Sequence, residues 1–168
     1  EAHGMEDNGS GVALIIELAR VMSHLAFDRT IVFMATIGEE QGLHGAEAFA
    51  TYSSIKGIPL RAVFNNDIVG GIVCGQTSSA PSCPGFNHID STQVRLFSAG
   101  GFNSRNKQLS RFIKLEYIEE VRDLAAVPML VTIMSAEDRT GRGGDHIPFR
   151  EQGFAAMRFT SANEHGNA

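Results

Sequence analysis

Positive charge is in short supply. Fourteen Lys and Arg stand against 19 Asp and Glu, giving a formal net charge of −5 and a pI near 5.6. Phosphate recognition needs a basic face, so nucleic acid is excluded as a main partner. No apolar run approaches the roughly 20 residues needed to cross a bilayer, so no membrane partner is expected. Cysteine is limited to Cys74 and Cys83, in "CGQTSSAPSC". Neither has a second Cys or a His at finger spacing, which argues against a cysteine-held metal. The pair reads either as two thiols or as a disulfide across a Pro/Ser/Gly loop, and the second reading belongs to an oxidising compartment. "GRGG" lacks the Lys and the following Ser/Thr of a P-loop, so a phosphate cradle is not indicated. Internal repeats and low-complexity blocks are also missing. The chain starts at Glu1 rather than Met, so it reads as a piece of a longer one and carries no information on a leader.

What is present is an ordinary globular balance: 168 residues, 43% hydrophobic and 20% charged, enough for one domain over residues 1–168 with a sizeable core. Apolar residues at helical spacing (Val12, Ile15, Ile16, Ala19, Met22, Leu25) predict a helix behind Asn8 and Ser10, both plausible caps. "RTIVFMATIG" is a continuous apolar, partly β-branched run, short enough for a strand buried on both faces. "GLHGAEAFATYSSIKG" predicts a helix closed by Gly57, and "PLRAVFNND" a second buried strand. Residues 72–92 are loop-like. "STQVRLFSA" predicts a short strand, "RNKQLSRFIKLEYIEEV" a helix and "VPMLVTIM" a strand. A Gly-rich loop then runs into a short helix, and "FAAMRFTSA" predicts the last strand. Helices interleaved with such strands predict a three-layer α/β/α domain around a mostly parallel, mixed central sheet.

In such sheets ligands bind beyond the carboxyl ends of the strands, so the residues after each strand are the ones to inspect. Glu39 and Glu40 follow the first strand and Asp67 the second. Asn163, Glu164 and His165 follow the last, and Asp7 precedes the first helix. Parallel strands would bring these acids to one rim. Crowded carboxylates raise one another's pKa values, and a divalent cation relieves the repulsion. Asp, Glu and His suit Zn²⁺, and two such ions suit hydrolysis of a peptide bond. Neighbouring acids at a strand end point in different directions, so Glu39 and Glu40 can serve different partners. Each acid also has a plainer reading. Asp7 reads as a helix cap, Glu39 and Glu40 as the acidic first turn of the next helix, Asp67 as a turn residue, and Asp145 with His146 as a cap and its partner. His3, His24, His44 and His88 have no spacing that favours ligation.

Four ordered stretches, "EDNGSGVALIIELARVM", "IVFMATIGEEQGLHGAEAF", "VFNNDIVG" and "GRGGDHIPFREQGFAAMRFTSANEH", together resemble the zinc-dependent exopeptidases of the bacterial leucyl aminopeptidase and aminopeptidase Y type. The similarity runs from about Met5 to the end and is weakest over residues 72–105. It implies a zinc-peptidase-like (phosphorylase/hydrolase-like) fold, two zinc ions and a peptide substrate trimmed at its amino terminus, outside the cell or in the periplasm. On this resemblance Asp7 bridges the zinc ions, Glu40 and Asp67 are terminal ligands, and Glu39 is the general base. Asp145 and His146 line the pocket or orient the acids from behind. The family's two histidine ligands have no clear counterpart. Nothing upstream of Met5 matches an "H-x-D" segment, and His165 is a poor match for the downstream one. The resemblance therefore also implies a piece lacking both ends, with weakened zinc binding. The alternatives are a glutaminyl cyclase-like acyltransferase on the same scaffold and a metal-free, non-catalytic peptide-binding module.

Overall fold

A computed structural model of the chain describes residues 4–74, 85–139 and 141–163. The first helix, α1, runs Gly9–Met22 and is capped by Asn8, whose Oδ1 accepts from the Gly11 N–H at 3.1 Å. Ser10, the other predicted cap, lies inside the helix, where its Oγ donates to the Glu6 carbonyl at 2.6 Å and accepts from the Val69 N–H at 3.1 Å. The second helix, α2 (His44–Ile55), ends as expected at Gly57, whose φ of 64° is the left-handed conformation that suits glycine.

Among the described residues four strands follow: β1 (Val63–Asn66), β2 (Gln93–Phe97), β3 (Leu130–Ile133) and β4 (Ala156–Ser161), in the order β1-β4-β2-β3. β4 pairs in parallel with β1 and antiparallel with β2, while β2 and β3 are parallel, so the sheet is mixed as expected. Between them lie α3 (Arg105–Glu116) and α4 (His146–Glu151). The helix predicted to reach Val121 leaves α geometry at Tyr117 and continues as a π turn, Tyr117–Val121. The Tyr117 hydroxyl accepts from the Met129 N–H at 2.5 Å, tying this end to the start of β3.

Successive strand residues point to opposite faces, and that alternation along β4 makes three layers. Ala156 packs with Ala46, Ala50 and Phe149 under α2 and α4, whereas Met157 packs with Leu96 and Val131 under Leu109 and Ile113 of α3. Both faces of β4 are therefore core, and nearly every residue of it is buried.

One expectation fails. Residues 29–38 form no strand: 30–36 carry no regular structure, and bends stand at Arg29 and Ile37. Among the described residues no hydrogen bond reaches the backbone of 30–36. The run lies across a cleft from β1 rather than against it, and a strand exists only where a neighbour accepts its N–H groups and donates to its carbonyls. Its side chains stay in contact with solvent, Val32 at 61% and Ile37 at 79% exposure. The stripe of α1 is likewise open, with Ile16 at 64%, and only Gly11 of that helix is buried.

Candidate metal and active site

The cleft between the unpaired run and β1 has a volume of about 340 Å³. Asp7, Glu39, Glu40, Asp67 and Asp145 all line it, together with Gly11 and Ile15 of α1 and Phe149 of α4. It sits at the carboxyl end of β1, where the topology rule places a ligand.

Each acid is held there by local chain geometry. Asp7 ends the turn before α1 and is exposed; the capping role belongs to Asn8 beside it. Asn8 also donates through Nδ2 to the Asn66 carbonyl at 2.8 Å and accepts from the Ile68 N–H at 3.2 Å, so it pins the start of α1 to the end of β1. Glu39 and Glu40 do not form the first turn of α2, which begins at His44 and holds Glu47 instead. They lie in a tight turn whose Glu39 carbonyl accepts from Gly42 and Leu43. Asp67 directly follows β1 and is only 6% exposed, so it is no solvated turn residue. Asp145 occupies the cap position of α4 but makes no capping bond; its carboxylate accepts from the Thr36 hydroxyl, joining the unpaired run to the Gly-rich loop.

The electrostatics follow from burial and crowding. Burial, then the charges of Asp67, Glu40, Asp145 and Asp7, push Glu39 from its usual 4.5 up to about 7. Asp67 is raised to about 6, chiefly by burial and further by Asp7, although Arg158 opposes the shift. Burial also raises Asp145, against the Thr36 hydrogen bond. His146 is fully buried and its proton affinity is lowered, mainly by burial. Its Nε2 lies 3.1 Å from the Glu137 carbonyl, which fixes that nitrogen as the donor and leaves Nδ1 a bare acceptor. His146 Nδ1, Asp145 Oδ1 and Asn65 Nδ2 are buried without a hydrogen-bond partner among the described residues.

Crowded carboxylates that range from the buried Asp67 to the exposed Asp7 and Glu40, with the unpartnered Asp145 Oδ1 nearby, are oxygen donors that fit a hard divalent cation. The set is incomplete, since among the described residues no three His, Cys, Asp or Glu side chains stand close enough to enclose an ion. The candidate nitrogen donors His3 and His165 lie outside the described residues, as do Glu164 and Cys83. Asn163, the first residue after β4 bar one, is fully buried and donates to the Ile72 and His88 carbonyls, a structural task.

Residues 1–79 match peptidase family M28. Over those residues the chain is similar to that family. A probable zinc metalloprotease of Pyrenophora tritici-repentis is 37% identical to this chain, over 98% of it and 38% of the relative. One from Pyricularia oryzae is also 37% identical, over 99% and 34%. The solved structure of BSAP, a zinc aminopeptidase from Bacillus subtilis, superposes with a TM-score of 0.62 at 25% identity, covering 94% of this chain and 32% of that one. The chain thus spans between about a third and two fifths of the length of these proteins.

Several residues of the site were not singled out in the sequence: Thr36, Asn8 as a bridge to β1, and above all Arg158 with Asp138. Arg158 is fully buried in mid-β4 and contacts both Asp67 and Asp138. The sequence did offer a signal for it. A charge inside the apolar run "FAAMRFTSA" has to find a buried partner.

Proposed function

We infer that this chain forms part of a metallo-aminopeptidase that removes N-terminal amino acids from peptides with the help of two zinc ions. The observation that carries the reading is the gathering of Asp7, Glu39, Glu40 and Asp67 along one cleft beyond β1, in a chain similar to the M28 family over residues 1–79. Asp7, Glu40 and Asp67 would hold the metal. When bound, the zinc supplies Lewis acidity toward the scissile carbonyl. Glu39 takes the proton of the attacking water and returns it to the leaving amine. Its place in the cleft suits that exchange. It is half-buried, faces the other four acids and is poised near neutrality in their company. Asp145, tethered by Thr36 through one carboxylate oxygen, has the other buried without a hydrogen-bond partner among the described residues. The similarity to the Bacillus subtilis zinc aminopeptidase supports trimming from the amino end. Cys74 is disulfide-bonded, which supports an extracellular or periplasmic site of action.

The test is Glu39→Gln in the full-length parent protein. Turnover of aminoacyl-anilide substrates is expected to vanish while bound zinc, measured by elemental analysis, stays. Turnover at the wild-type rate would remove Glu39 from its role. A flat zinc titration of the wild-type parent would favour a metal-free binding module.

A further inference from the structure

The guanidinium of Arg158 joins three segments that are far apart in sequence. Its Nη1 donates to both oxygens of Asp138, at 2.8 and 2.9 Å, and to the Gly143 carbonyl at 3.3 Å. Its Nε and Nη2 donate to the main-chain carbonyl of Asp67 at 3.4 and 3.3 Å, and Nη2 lies 3.3 Å from Asp67 Oδ2. Arg158 is fully buried, Asp138 is 7% exposed and Asp67 6%. Asp138 also accepts from the Arg139 main chain at 2.7 Å and side chain at 3.3 Å, so its own position is fixed.

The two carboxylates are treated unequally. Asp138 receives the short, charge-assisted, two-oxygen contact. Asp67 is gripped by its main chain, while its carboxylate gets one long contact on Oδ2. Among the described residues no hydrogen bond reaches its Oδ1. A buried Arg beside a lone Asp would close into a bidentate pair and occupy both carboxylate oxygens. Asp138 prevents that by holding the guanidinium from the other side. We propose that Arg158 and Asp138 are a positioning pair that fixes the end of β1 while keeping the Asp67 carboxylate available to a metal ion. The Gly143 contact extends the same anchor to the loop that presents Asp145 and His146. This inference rests on the reading of Asp67 as a metal ligand.

Asp138→Asn keeps the shape and removes the charge. Among the described residues Asp67 is then the nearest full anion to Arg158, which closes onto it in competition with the ion. The experiment measures zinc affinity of the full-length parent by chelator competition, with melting of the zinc-free protein recorded beside it, for Asp138→Asn, Arg158→Lys and Asp67→Asn. Partners of this kind behind a ligand typically change metal affinity by about 10–100-fold. Asp138→Asn is expected to lose that much, with turnover restored at saturating zinc. Arg158→Lys, which cannot span both acids with one ammonium, is expected to lose affinity as well. A folded Asp138→Asn protein with wild-type zinc affinity, while Asp67→Asn has lost it, would overturn the pair and leave the ligand reading standing. Unchanged affinity in Asp67→Asn would overturn the ligand reading itself, and the pair with it.

Discussion

Two apolar runs of similar length and composition end up in opposite circumstances. "FAAMRFTSA" becomes β4, hydrogen-bonded on one edge to β1 and on the other to β2, with Met157 and Ala156 fully or almost fully buried. "RTIVFMATIG" becomes an unpaired segment with Val32 and Ile37 mostly in solvent. Their residues do not distinguish them; their neighbours do. β4 lies between two strands and two helical layers, whereas residues 29–38 face a cleft on the β1 side. Yet the site draws on both regions. Asp67 extends the well-packed sheet, and Glu39 and Glu40 extend the unpaired run. The chemistry is therefore placed where the packed sheet meets the unpaired run.

The sharpest way to probe that division is at its functional end. Glu39→Gln in the parent enzyme is expected to cost about 10²–10⁴-fold in turnover, the usual range for a general base, read from aminoacyl-anilide hydrolysis at constant zinc content. Next comes core packing. Met157→Ala should destabilise by about 2–5 kcal/mol in denaturant unfolding, whereas Ile16→Ala, on the open stripe of α1, should stay within about 0.5 kcal/mol. Equal losses at the two positions would erase the contrast. The seam between the regions is Asn8, which caps α1 and bonds β1, so Asn8→Ala should cost about 0.5–2 kcal/mol and lower zinc affinity by loosening Asp7. Hydrogen exchange offers a finer view. Amides of β4 should exchange only with global opening, and those of residues 31–35 far faster.

The smallest effect is pH-dependent. Glu39 and Asp67 have folded-state pKa values raised to about 7 and about 6, from ordinary values of 4.5 and 3.8. Between those limits the folded state binds more protons than the unfolded one, so stability falls as pH rises. The metal-free protein should therefore melt at a higher temperature near pH 4 than near pH 8 with respect to these groups. Glu39→Gln should flatten the upper part of the profile, and added zinc should restore stability at the alkaline end. A metal-free melting curve insensitive to Glu39→Gln between pH 5 and 7 would contradict the assigned shift.

Much of the fold was legible because its signals are local. Helical spacing placed α1, α2 and α3, Gly57 marked the end of α2, and the short apolar runs placed β1 through β4. The convergence of Asp7, Glu39, Glu40 and Asp67 was expected from parallel strands, yet of the four only Asp67 follows a strand; the other three reach the cleft from turns. The unpaired run was not legible, because periodicity describes a segment and not the partner it needs. Arg158 was passed over for the same reason. A charge in an apolar strand announces a buried partner without naming it.

The order of residues alone settled which segments could be helix or strand and that Asp67 would follow β1, because both depend on near neighbours in the chain. Tertiary structure alone decided which strand found two partners, which carboxylate was buried, and that Asp138 rather than Asp67 receives the close grip of Arg158. Those outcomes depend on distances between residues 20 to 91 positions apart, and hydrogen bonding and charge act through space.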